Sequence, residues 1–137
     1  MRLAEPALVG LIVTVWLLNA GCQTGAERLH VSAPAGSKIL NPTDIGTVLS
    51  TIDEIANAYG LHRVSRVSSL HLREYSESTN GYPVVLAVYQ DRDPSYVAIG
   101  IGGTYKDVMS VRIKRALEER FGKGRVYWVS ELIFNPV

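Results

Sequence analysis

The sequence predicts an α+β domain built as a two-layer sandwich, with two helices on one face of a four-stranded, mostly antiparallel sheet in the order αβββαβ. Three observations carry this expectation. Two segments repeat apolar residues at helical spacing and keep a polar opposite face. Three strand-like runs lie between them, separated by tight turn signals. A last strand-like run follows the second helix. Amphipathic helices cannot bury themselves, and a sheet with one strongly apolar face covers both.

The first helix opens at Asn41, a capping residue, with Pro42 at the first helical position and Asp44 in the first turn. Ile45, Val48, Leu49, Ile52, Ile55, Ala56 and Tyr59 form its apolar stripe. Thr47, Ser50, Asp53, Glu54 and Asn57 lie opposite, and Gly60 with Leu61 ends it. Ser69 to Tyr75 reads as a strand, with Leu70 and Leu72 on one side and His71, Arg73 and Tyr75 on the other. Asn80-Gly81 marks a turn. Tyr82 to Gln90 is apolar on both faces and reads as a central strand. Asp91-Arg92-Asp93-Pro94-Ser95 is a second turn, and Tyr96 to Gly102 a third strand. Thr104 is the expected cap of a second helix, with Asp107 as its capping-box partner. Tyr105, Met109, Ile113, Ala116, Leu117 and Phe121 make its inner stripe, and Gly122 stops it. Arg125 to Phe134 is the expected last strand. A helical crossover should bring it in right-handed if it runs parallel to its predecessor. The arrangement resembles ferredoxin-like sandwiches with an element missing, which implies architecture and no function.

Ahead of this domain, Arg2 supplies one positive charge, and Ala7 to Ala20 is almost wholly apolar. That run falls short of the about 20 residues a membrane-spanning helix needs. Gly21 and Cys22 follow, and the chain turns polar at Gln23. A charged start, a short apolar centre and small residues at the end form a secretory signal. Leu18-Asn19-Ala20-Gly21-Cys22 resembles the lipobox of bacterial lipoproteins, and the resemblance covers residues 1–22 only. It implies that Cys22 receives a diacylglycerol and becomes the new N-terminus. Ordinary secretion with cleavage after Ala20 is the competing reading. The domain boundaries that follow are a signal peptide over 1–21, lipidated Cys22 with a flexible tether over 22–37, and one α+β domain over 38–137. Within the tether, Leu29 and Val31 suggest at most a short edge strand.

Cys22 is the one cysteine, so no intramolecular disulfide and no CxxC metal or redox pair is possible. Lys and Arg number 14 against 13 Asp and Glu, for a net charge of +1. That balance argues against nucleic acid as a partner. The resemblance implies a membrane partner through the lipid. It places the protein on the periplasmic side of the outer membrane if the source is Gram-negative, because Gln23 is not Asp.

Candidate chemistry is thin. Gly102, Gly103 and Thr104 end a strand and open a helix, where backbone N–H groups could hold an anion. They lack the Gly-Lys-Ser/Thr ending of a P-loop. Asp91 and Asp93 are ordinary turn residues, and no metal site is expected. His30, His62 and His71 show no zinc-ligand spacing. Strand parity puts His71 and Glu74 on opposite faces, so they are not expected to pair. No catalytic residue and no cofactor is assigned. The stronger pattern is the second face of the sheet, with His71, Arg73, Tyr75, Tyr89, Tyr96 and Tyr127 at one parity. Tyrosine offers large contact area with a hydrogen-bonding tip. The expected function is a non-catalytic interaction module that binds another envelope protein or a second copy through this face. The alternative is a small periplasmic enzyme or ligand binder with a site near His62 and His71 or at the Gly100–Thr104 turn.

Overall fold

A computed structural model describes residues 26–65 and 71–129. In chain order the elements are β1 (Glu27–Ser32), α1 (Pro42–Ala58), β2 (His62–Arg63), β3 (His71–Ser76), β4 (Val84–Tyr89), β5 (Tyr96–Ile101), α2 (Lys106–Phe121), a 3-10 turn (Lys123–Arg125) and β6 (Val126–Trp128). The class is α+β with two helices and an antiparallel sheet. The sheet has six strands rather than four, in the order β2-β3-β4-β5-β1-β6.

The largest difference from the sequence expectation is β1. Residues 27–32 fall in the stretch read as a tether, and they form a strand inside the sheet. β1 pairs antiparallel with β5, Leu29 opposite Ile99, and with β6, Leu29 opposite Trp128. It is no edge strand. β6 therefore runs in the same direction as β5, with β1 between them, and α2 makes the crossover. Positions Leu132 and Phe134 of the expected last strand lie outside the described residues, as do Cys22 and the whole of the expected signal.

One parity of the strands makes the core. Leu29, Val31, Leu86, Val88, Val97, Ile99 and Ile101 are fully buried. Val48 and Ile52 of α1 and Ile113 and Leu117 of α2 join the same cluster. Both stripes thus face one side of the sheet, as amphipathicity requires. Arg125 ties the layers together: its guanidinium donates to the Ser32 carbonyl and to the Asp44 carboxylate, each at 2.8 Å.

The caps of α1 follow the sequence. Asn41 Oδ1 accepts from the Asp44 N–H at 2.8 Å. At the other end Leu61 N–H donates to Ala56 O, and Gly60 N–H to Asn57 O, with Gly60 at φ 70°. This is a Schellman motif, which needs the left-handed glycine. The expected cap of α2 does not form. Tyr105 holds the cap position with no side-chain hydrogen bond. Thr104 turns instead to Glu77, which accepts its N–H at 2.8 Å and its hydroxyl at 2.7 Å.

β3 corrects a second expectation. Its register against β4 slips between His71 and Arg73, and again between Tyr75 and Ser76. A bulge of one residue sends every later side chain to the other face. Leu72 is that extra residue. Arg73 and Tyr75 consequently sit opposite Val88 and Leu86, on the helix side.

Candidate functional site

The face turned away from the helices is built from the other parity. A transverse row crosses five of the six strands: His71 opposite Tyr89, Tyr89 opposite Ala98, Ala98 opposite His30, His30 opposite Tyr127. A second row runs Glu74, Ala87, Gly100, Arg28. Small residues make the floor, and rings lie over it. Ala87 and Ala98 are buried, at 8% and 1% exposure, although no described helix covers this side. A Cβ on Gly100 would stand 3.7 Å from the Tyr89 ring, so that ring leans across the floor toward β5.

The rings form two groups. His30 stacks on Tyr96, with centroids 4.1 Å apart and planes 16° off parallel, and tilts against Tyr127 at 6.2 Å. Ser32 and Tyr127 share a short hydrogen bond between their hydroxyls. On the other side of the floor, His71 tilts against Tyr89 at 5.5 Å. The Arg28 guanidinium stands 5.5 Å from the Tyr89 ring centroid, within cation–π range.

His71, Tyr89, Tyr96 and Tyr127 share this face, as strand parity predicts. Arg73 and Tyr75 do not. Tyr75 is 2% exposed in the core, and its hydroxyl donates to Asp53 of α1 in a short hydrogen bond. Arg73 Nη1 donates to the other Asp53 oxygen at 2.8 Å. The bulge also overturns the separation of His71 and Glu74. It brings the His71 Nδ1 and the Glu74 carboxylate into a short contact, with Glu74 only 7% exposed. Arg28, His30 and Ser32 are the residues that sequence reasoning missed. Their signal was the alternation around Leu29 and Val31, two apolar residues long.

The weak anion-site candidate at Gly102, Gly103 and Thr104 has its Thr104 donors taken by the protein itself. The Glu77 carboxylate holds both Thr104 donors, and Gly102 N–H donates to Val85 O at 2.7 Å. Gly103, at φ 82°, is needed for close approach: a Cβ there would come within 2.5 Å of the Val85 side chain. Among the described residues, no three His, Cys, Asp or Glu side chains converge as a metal site. His62 is exposed on β2. A cleft beside it, about 430 Å³ in volume, is lined by Arg63, Val64, Ser65, Leu72 and Arg73. Among the described residues, that lining holds two guanidiniums and one hydroxyl, and no imidazole or carboxylate.

Burial lowers the pKa of His30 below its ordinary 6.5, and Arg28 adds to the effect, while Asp91 and Asp93 oppose it. The ring is therefore neutral at neutral pH. The sign for stability follows from linkage. Below pH 6.5 the unfolded chain takes up the proton before the folded one does. Stability then falls as pH drops through 6.5, until the folded midpoint is passed. An NMR titration of His30 is expected to give a midpoint below 6.5, and His30→Gln to remove this acid-sensitive component. A midpoint at or above 6.5 would contradict the burial of the ring.

The chain matches no protein-family model, and no curated protein or solved structure is significantly similar to it.

Proposed function

We propose that this chain is an exported bacterial lipoprotein, anchored through an acylated Cys22, that binds another envelope protein or a second copy through its open sheet face without catalysis. The observation that carries the reading is the face itself. Rings from β3, β4, β5, β1 and β6 lie side by side on an Ala-Gly floor, with Arg28 beside them. Tyr and Arg are enriched at binding hot spots, and rings already packed against a floor lose little entropy on binding. In this reading Gln23 after the cysteine directs the protein to the outer membrane of a Gram-negative source, on its periplasmic side.

Two measurements test the proposal. Mass spectrometry of the membrane fraction should find an N-terminal Cys22 carrying acyl chains, and an unmodified chain beginning at Gly21 would falsify the anchor. For the face, the Arg28→Glu/Tyr96→Ala variant should keep its melting curve within a few degrees. It should lose its partner in cross-linked membrane fractions, or its self-association in sedimentation, by about tenfold or more, since hot-spot truncations cost about 2 kcal/mol or more.

One observation favours a second reading, a small hydrolase or binder centred on His71. A carboxylate held at Nδ1 orients an imidazole and leaves Nε2 as a base. If Glu74→Gln abolishes function in the cell while the Arg28/Tyr96 variant keeps it, this second reading replaces the first.

A further inference from the structure

We infer that the end of the domain where β1 begins, together with the first turns of α2, is a docking surface for the phospholipid bilayer. The inference rests on the proposed anchor at Cys22. It comes from the position of β1. A free tether over 22–37 would reach about 50 Å from the membrane, at about 3.5 Å per residue. β1 takes up the chain from Glu27. Only four Cα steps then separate Cys22 from Ala26, a span of at most about 14 Å. A domain of about 100 residues is wider than that, with a radius of gyration of about 13 Å. The end of the sheet that carries Ala26 therefore stays within about 14 Å of the lipid surface.

Antiparallel pairing decides which residues share that end. Glu27 lies opposite Ile101, so the end of β5 and the start of α2 are there. A Cβ on Gly102 would stand 4.0 Å from that of Ala26. The start of β4 and the end of β3 are there too, through Leu86 opposite Ile101 and Ser76 opposite Val84. Exposed apolar side chains collect at this end. Tyr82, just before β4, is 60% exposed, and Tyr105, at the cap of α2, is 44% exposed. Val108 and Val111, in the first turns of α2, are 58% and 55% exposed. Arg112 and Arg115 continue the same outward side of the helix and are exposed. Tyr rings and aliphatic side chains at one end, with the Arg115 guanidinium further along the helix within reach of phosphate, suit a membrane interface. The acyl chains supply the affinity. The pole sets the orientation, and it holds the open face upright, clear of the lipid and accessible from the side.

The test takes the chain from Cys22 and couples its thiol to a maleimide-bearing lipid in phosphatidylcholine vesicles. Amide hydrogen exchange is compared with that of the same chain capped by a small maleimide. Peptides covering 102–111 and 77–83 should exchange several-fold more slowly on vesicles. The 91–95 turn, at the other end of the sheet, should be unchanged. Val108→Gln/Val111→Gln should remove the slowing in 102–111 and leave the melting curve unaltered. No slowing at this end, or slowing centred on Tyr89 and Tyr96, overturns the inference. So does slowing that rises with protein density and also occurs in the capped chain, which would assign the pole to a second copy. Coupling supplies the anchor, so the result is separate from whether cells acylate Cys22.

Discussion

Leu29→Ala is expected to lower stability by about 2–5 kcal/mol, and a chain that begins at residue 33 is expected not to fold at all. Leu29 and Val31 are fully buried, and each contributes to the common core. β1 is also the only strand, among the described residues, that pairs with β6. Its loss would leave the edge of β5 unpaired over six positions and detach β6 from the sheet. A domain of this size is stable by only about 5–15 kcal/mol, so it cannot absorb both losses. Urea denaturation of the domain with and without residues 26–32 measures the effect. A cooperative transition at an unchanged midpoint in the shortened chain would mean that residues 27–32 are a tether after all.

The parts of this fold that were legible in the sequence are those whose signals are local and long. The stripe from Ile45 to Ala56, with Asn41 before it and Gly60 after it, spans just over three turns and specifies both ends of α1. The apolar run of β4 and the alternation of β5 are bracketed by turn residues. β1 had neither advantage. Its two buried residues, Leu29 and Val31, stand between the apolar N-terminal run and Ala-Pro-Ala-Gly, and its partner Ile99 is 70 positions away. Pairing at that distance leaves no mark in a local window. The bulge at Leu72 is equally silent, because no Gly or Pro announces it. It accounts for every error in the site on β3: the placement of Arg73 and Tyr75 on the helix side and the pairing of His71 with Glu74. The Thr104 cap failed for a related reason, since its competitor Glu77 is 27 residues away.

That bulge makes Tyr75 the sharpest discriminator between the two strand registers. In the unbulged register Tyr75 would stand on the open face. Its truncation would then change stability by no more than about 0.5 kcal/mol and weaken partner binding. In the observed register it is 2% exposed beneath α1. Tyr75→Ala is expected to destabilise by about 3–5 kcal/mol, the range for large aromatic side chains removed from a core. Tyr75→Phe keeps the ring and loses only the donation to Asp53. Arg73 still satisfies that carboxylate, which is partly exposed, so the expected cost is about 1 kcal/mol. pH supplies an independent reading. Burial, with the Asp53 carboxylate second, raises the phenol pKa well above its ordinary 10.0. Above pH 10 the unfolded chain therefore releases this proton while the folded one keeps it, and stability falls as pH rises. Tyr75→Phe should lack that component of the alkaline decline. If Tyr75→Ala melts with the wild type and its alkaline limb is unchanged, then β3 carries no bulge. Arg73 and Tyr75 would return to the open face, and Glu74 would leave His71.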